Sequence, residues 1–203
     1  MFRRLFLVLP LLLLVAAAPA GNSAEIAQIQ EYLNSITTLK AHFVQVAPND
    51  AISQGTAWLE RPGRMRFQYD PPSPLLLVAG HGLFVFHDSS LDQTSNLPLG
   101  ATPLGILLAD HIQLSGGDVT VTDLRKLPGE VLATLVWNAH PTDGSLTLVF
   151  TTDPMTLRQW TVTDATGQRT TVTLSNIELG EKFKQDLFEF INPQFFQNHQ
   201  GNG

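Results

Sequence analysis

Six histidines, His42, His81, His87, His111, His140 and His199, are the first places to look for chemistry in this chain. A metal site wants donors converging on one point, often as two histidines on one face of a helix or strand. None of the six stands in an H-x-H or H-x-x-x-H pair. The run His87-Asp88-Ser89-Ser90 brings base, acid and nucleophile types together. Neighbours in sequence are not a triad, however, and no Gly-x-Ser-x-Gly elbow is present. Asp92 and Asp110 have the type of paired carboxylates but read as solvated loop acids. There is no cysteine, hence no disulfide, thiolate ligand or thiol nucleophile. No Gly-x-x-x-x-Gly-Lys run is present to cradle a nucleotide phosphate. No catalytic constellation, metal site or cofactor is expected.

One residue stands out for a different chemistry. In Arg61-Pro62-Gly63-Arg64-Met65-Arg66-Phe67-Gln68-Tyr69-Asp70-Pro71-Pro72 the first three residues read as a hairpin turn after Trp58-Leu59-Glu60. Met65, Phe67 and Tyr69 then share one face of the returning strand, and Arg64, Arg66 and Gln68 the other, wet one. Two prolines stop the strand because proline cannot donate to a ladder. Arg61 sits at the rim, where its five-donor fork can reach backbone carbonyls of a covering loop or helix end. That makes it a latch residue.

The elements that must hold this hairpin are mostly strands. Alternation or β-branched enrichment predicts strands over Leu39–Val46, Gln54–Glu60, Arg64–Tyr69, Leu75–Ala79, Leu83–His87, Val119–Leu124, Val131–Trp137, Ser145–Thr151, Leu157–Thr163 and Arg169–Ile177, with turn signals between them. Ahead of them Ile26, Ile29, Leu33 and Ile36 predict one amphipathic helix over Glu25–Thr38, with Asn34 and Ser35 off its stripe. Between Asp88 and Asp118 the alternation breaks. Leu97–Ala101 reads as loop, and Thr102-Pro103 reads as an N-cap followed by a first-turn proline, opening a short apolar helix through Leu104, Ile106, Leu107 and Leu108. The expected fold is mainly β with α. It is a single domain with a strongly curved antiparallel sheet of about ten to eleven strands, and two helices lie against one side.

The chain has 203 residues, enough for one domain with a sizeable core. Residues 1–24 read as a signal peptide: basic Arg3-Arg4, an apolar run of about 14 residues from Leu5 to Ala18, and small-residue exits after Ala20 or Ala24. An uncleaved membrane anchor is the alternative, although the run is short of the ~20 residues a span needs and contains Pro10. Cleavage at Ala24 leaves residues 25–203. Loss of Arg3 and Arg4 takes the 12 basic residues to 10 against 18 acidic, a net charge near −8. An acidic, exported, freely moving protein is poorly suited to nucleic acid or an anionic membrane surface.

Taken in order, several short motifs resemble the LolA family of periplasmic lipoprotein carriers. They are the helix with Leu39-Lys40-Ala41-His42-Phe43-Val44-Gln45, the stretch from Gly55 to Pro72, Gly82-Leu83-Phe84-Val85-Phe86, Leu91-Asp92-Gln93, Ala101-Thr102-Pro103-Leu104, and Phe188-Glu189-Phe190-Ile191-Asn192-Pro193. The resemblance implies an unclosed β-barrel covered by the N-terminal helix and the short lid helix, enclosing an apolar cavity for the acyl chains of lipoproteins. Arg61 then matches the arginine that bonds the lid. The residues expected to line the cavity are Leu33, Ile36, Phe43, Leu59, Met65, Phe67, Tyr69, Phe84, Phe86, Leu104, Leu107 and Leu108. The implied partners are acylated lipoproteins as cargo, an inner-membrane ABC transporter for loading and an outer-membrane receptor for release, with the carrier working as a monomer in the periplasm. Met65 and Phe67 stand where relatives have larger aromatics, and Asn192-Pro193 where others have Pro-Pro, which bears on the size of the cavity. Two other readings remain open: a module of the same fold holding a phospholipid or glycolipid, and a periplasmic hydrolase using His87 or His140.

Overall fold

A computed structural model describes residues 20–190. The expected signal peptide lies, up to residue 19, outside the described residues, as do Ile191-Asn192-Pro193 of the closing motif. The chain opens with helix α1, Ala20–Ser35. Strands β1 (Thr38–Val46), β2 (Ile52–Glu60), β3 (Arg64–Tyr69), β4 (Leu75–Gly80), β5 (Leu83–Asp88) and β6 (Gln93–Pro98) follow. Two 3-10 helices, η1 (Leu99–Ala101) and η2 (Pro103–Leu108), and an irregular, bent strap over residues 109–118 lead to β7 (Val119–Leu127), β8 (Glu130–Trp137), β9 (Gly144–Thr152), β10 (Met155–Asp164) and β11 (Arg169–Leu179). A last 3-10 turn, η3, covers Gln185–Phe188.

All eleven strands form one antiparallel sheet in the order β6-β5-β4-β3-β2-β1-β11-β10-β9-β8-β7. β6 and β7 are its two edges, so the curled sheet is not closed. Its concave face carries the core. Buried alternation runs through Leu39, Ala41 and Phe43 on β1, Met65, Phe67 and Tyr69 on β3, and Leu146, Leu148 and Phe150 on β9. α1 adds Ile29 and Leu33, and η2 adds Ile106, Leu107 and Leu108, from the same side. Gly55 on β2 is required by the tight β2 to β3 approach, since a Cβ there would lie 2.0 Å from the Gln68 carbonyl oxygen.

The structure corrects the expected elements in three places. α1 ends at Ser35 instead of reaching Thr38, and the β-branched pair Thr37-Thr38 goes toward the sheet, Thr38 pairing with Glu60. Gln93–Pro98 is a strand, of which only its last two residues, Leu97 and Pro98, fall in the expected loop. The predicted lid helix is there, with the Thr102 side chain accepting from Leu104 N at 3.1 Å, but it is wound as a 3-10 helix. Gly105 fits that tight winding: a Cβ would stand 2.1 Å from the Leu99 carbonyl oxygen.

Arg64 and Arg66 are likewise not simply a wet face. The segment around η3 crosses the convex side of β3 and β4. Arg64 donates to Gln185 Oε1 at 2.6 Å and pairs with Glu60, while Arg66 Nη1 donates to the Leu187 carbonyl at 3.3 Å. Phe188 lies beneath the Arg64 guanidinium, 5.8 Å from the ring centroid.

Candidate functional site

At the centre of the concave face Phe43, Phe67, Tyr69 and Trp160 form an aromatic cluster. Phe67 lies 4.6 Å from Phe43 and 5.9 Å, edge on, from Trp160. Phe67 is on β3 and Trp160 on β10, so the two halves of the curled sheet touch through these rings. Beside them is a void of only about 20 Å³, whose walls include Leu33, Ile36, Leu59, Met65, Phe67 and Leu107. That is on the order of one water-sized sphere. The interior is therefore filled by the protein's own side chains.

Of the other residues expected at a cavity, Phe43, Tyr69, Phe84 and Leu108 are buried in the same core, and Leu104 is half-buried against it. Phe86 is 39% exposed. It stands two residues after Phe84 on β5 but is paired with Ser95 of the edge strand β6. Trp160, Leu157 and Ile112 also line the void and were not among the expected residues. Leu157 and Trp160 escape a period-two reading because a bulge between Leu157 and Gln159 lets residues three apart face the same way. Ile112 lies in the strap, which has no periodicity to read.

The cover is tied down by a small set of hydrogen bonds. Gly63 N, in the β2 to β3 turn, donates to the Leu108 carbonyl at the end of η2 at 2.9 Å. Trp137 Nε1 donates to the Thr102 carbonyl at its start at 3.1 Å. Asn34 on α1 holds the strap by both backbone groups of Ile112, its Nδ2 donating to the carbonyl at 2.8 Å and its Oδ1 accepting from the amide at 2.9 Å. Gln30 Oε1, one turn earlier, accepts from Leu114 N at 2.8 Å. α1 and the strap therefore form one unit.

Arg61 reaches a helix end, as its rim position suggests. Its Nε, at 2.8 Å, and its Nη2 both donate to the carbonyl of Ile36, just beyond α1. The carbonyl belongs to the α1 side of the cover and not to η2, whose bond to the hairpin comes from the Gly63 backbone. Arg61 Nη1 is buried with no hydrogen-bond partner among the described residues. Burial pushes the guanidinium pKa down from its usual value, and the Asp110 carboxylate acts in the opposite sense.

The residues considered for catalysis do not converge. His87 Nδ1 meets Thr94 Oγ1 at 3.0 Å and its ring lies 5.2 Å from that of Phe190, tilted by 48°, while Asp88 accepts from Ser90 and Leu91 in a local turn. Ser89 Oγ donates to the Pro74 carbonyl. His140 faces Asp143 at 3.8 Å in an exposed turn. Ser175 and His42 approach to 3.4 Å on neighbouring strands, away from the central void. Among the described residues no three histidine, aspartate or glutamate side chains could hold a metal ion. No described helix is long and apolar enough to cross a membrane.

The family model for the outer membrane lipoprotein carrier protein LolA matches residues 34–191. The chain belongs to the LolA family. Outer-membrane lipoprotein carrier proteins of Legionella pneumophila strain Lens and Methylococcus capsulatus are 31% and 28% identical to it, each over 94% of this chain and over 96% and 94% of their own lengths. Among solved structures, a DUF1329 family protein from Desulfovibrio piger has a TM-score of 0.52 at 8% identity, covering 85% of this chain and 98% of that one. A LolA superfamily protein from Nitrosomonas europaea has a TM-score of 0.45 at 10% identity, covering 81% and 97%. Against the first of these the likeness is one of fold alone. This member of the LolA family folds as an unclosed antiparallel sheet with an N-terminal helix, with the cover and Arg61 arranged as above.

One titration follows from the aromatic cluster. Burial raises the Tyr69 phenol to about 12, against an ordinary value of 10.0, with the bond to Gln45 opposing. A folded pKa above the unfolded one means that the stabilisation is complete below pH ~10 and is lost as the pH rises toward ~12. About 2–3 kcal/mol of stability should disappear over that window. Tyr69→Phe should flatten the alkaline limb of a urea-unfolding series by a similar amount. An unchanged limb would show that the phenol does not ionise with unfolding.

Proposed function

We propose that this chain is a periplasmic carrier that takes the acyl chains of lipoproteins into its concave face and moves them from the inner to the outer membrane. The observation that carries this is the filled interior: an apolar core facing one side of an unclosed sheet, beneath a cover held by a few hydrogen bonds. Lipoprotein carriers among its relatives, matched over nearly their full lengths, support the same reading. The leader in residues 1–24 would direct export and be cleaved, and the chain would then work as a monomer.

The energetics require such a cover. Each buried CH₂ of an acyl chain is worth about 0.8 kcal/mol, so three long chains hold a lipoprotein in a bilayer by an upper bound of ~30 kcal/mol. A carrier must offer comparable shelter without becoming a trap. When empty, this chain satisfies its own apolar surface with Leu107 and Leu108 of η2 and with Leu33 and Ile36 at the end of α1. Cargo must displace them, so the free energy of closure is subtracted from that of binding. Arg61 sets part of that free energy by holding the α1 side of the cover. Loading by an inner-membrane ABC transporter and release to an outer-membrane receptor fit a chain with no phosphate-binding motif of its own. The protein is a binding protein and not an enzyme in this reading.

The test is to express the full chain with its own leader, purify it from the periplasm and weigh it intact by native mass spectrometry. A complex with triacylated protein that passes to acceptor membranes is expected. Recovery of phospholipid or glycolipid alone would replace the lipoprotein reading with that of an amphiphile carrier.

A further inference from the structure

A second cavity, of about 340 Å³, lies on the other side of the strap from the central void. Its apolar wall is made by Ile106, Ile112, Val119 and Trp137, and His111, Gln113 and Asp118 stand around it with Gly116 and Gly117. Ile106, Ile112 and Val119 are buried, whereas His111, Gln113 and Asp118 are exposed, so polarity grades from wall to rim. The rim is fixed in place: Asn138 N donates to the Asp118 carbonyl at 2.8 Å, and Asn138 Nδ2 donates to the Gly117 carbonyl at 2.7 Å. In size it falls in the range of small-ligand sites.

Ile112 lines both this cavity and the central void. The partition between them is therefore a strap residue whose two backbone groups are both held by Asn34. Release of that pair would join the two spaces. The two differ in chemistry in a way that matters to an amphiphile. The walls of the central void are apolar apart from the guanidinium of Arg61 and the indole of Trp160, so an ester carbonyl drawn into it would lose most of its hydrogen bonds. The outer cavity offers side-chain donors at its rim and an indole face beneath.

We propose that this outer cavity is the seat of the polar, ester-linked end of the acylated cargo, with the chain running past Ile112 into the central cavity and Asn34 acting as the positioning residue that keeps the partition shut when the carrier is empty. The assignment rests on the acyl-carrier reading and adds a place and an orientation to it. A lipid bound this way leaves its head at the β7 side of the opening, beside His111 and Asp118.

Two of the three tryptophans report on it directly, Trp160 from the central void and Trp137 from the outer cavity, while Trp58, paired with Lys40 and Arg66 on the convex side of β2, is the internal control. The wild-type protein is titrated with a diacylated cysteinyl lipopeptide carrying a nitroxide either beside the ester or near the chain methyl. The three indole N–H signals, assigned by through-bond NMR, are then followed. The ester-side label should remove most of the Trp137 signal and spare Trp160, and the methyl-side label should do the reverse. If both labels broaden Trp160 and leave Trp137 sharp, the outer cavity is not the seat, while the carrier reading stands. If neither label affects any indole, the carrier reading fails and takes this inference with it. In Asn34→Ala the lipopeptide should load several-fold faster with the same label pattern; an unchanged rate would remove the gating role of Asn34.

Discussion

Replacing Arg61 by leucine should slow delivery of cargo by about 10–100-fold while leaving the protein folded. The charge-assisted donation to the Ile36 carbonyl is worth about 1.5–3 kcal/mol, and it exists only when the end of α1 is seated. Each 1.4 kcal/mol is about tenfold in an equilibrium, so the closed, empty form loses that factor against the loaded one. Cargo then stays bound because the state that would replace it has been weakened. Leucine fills much of the volume that the arginine stem occupies, and the packing around Leu33 and Met65 has no reason to collapse. The measurement is the half-time for transfer of a fluorescent lipopeptide to acceptor vesicles, alongside thermal unfolding of the empty protein. Arg61→Lys should fall between the two, since a point charge can reach one carbonyl but lacks the planar fork. Transfer by the leucine variant at the wild-type rate would mean that Arg61 is not part of the latch.

The second large effect concerns the ring that joins the two halves of the sheet. Phe67→Ala should cost about 3–5 kcal/mol, because the alanine leaves a hole between Phe43 and Trp160 that neither ring can fill by a small shift. For a domain of this size that corresponds to a drop of roughly 6–20 °C in Tm. The same hole adjoins the central void, so the variant should regain much of the loss when an apolar chain is supplied, since a ligand that binds only the folded form stabilises it by mass action. Ile52→Ala, at a position 73% exposed, should move Tm little. A Phe67→Ala protein as stable as the wild type, or one that acyl chains do not stabilise, would show that this ring is not where cargo and core compete.

Much of this was legible in the residues. β3 has the predicted bounds because its alternation is clean and a Pro-Gly turn and a Pro-Pro pair fence it on both sides. The lid was visible in Thr102-Pro103, where an N-cap oxygen and a fixed φ leave few options. β6 was not, since Gln93-Thr94-Ser95-Asn96 carries no apolar alternation. All of its residues are exposed, and an edge strand there is held by its backbone pairing with β5. The cover over Arg64 and Arg66 comes from residues about 121 positions later, which no local pattern announces. Asn34 illustrates the same limit. Off the apolar stripe, it reads as a solvent position, and only the folded strap supplies the backbone groups that it clamps.

The missing pairing between β6 and β7 has a mechanical consequence. A fully closed barrel fixes its circumference through strand number and stagger, so widening it means breaking ladder hydrogen bonds. Here the sheet can uncurl and tighten again with every one of its ladders intact, because the two edges were never bonded to each other. Its girth is then set by side chains meeting across the hollow, such as Phe67 and Trp160, and in the proposed carrier these contacts would be exchanged for guest methylenes of similar character. Under the carrier reading proposed above, the same protein would take up guests of different bulk, each fitted by a change of curvature and none requiring a backbone hydrogen bond of the sheet to be given up.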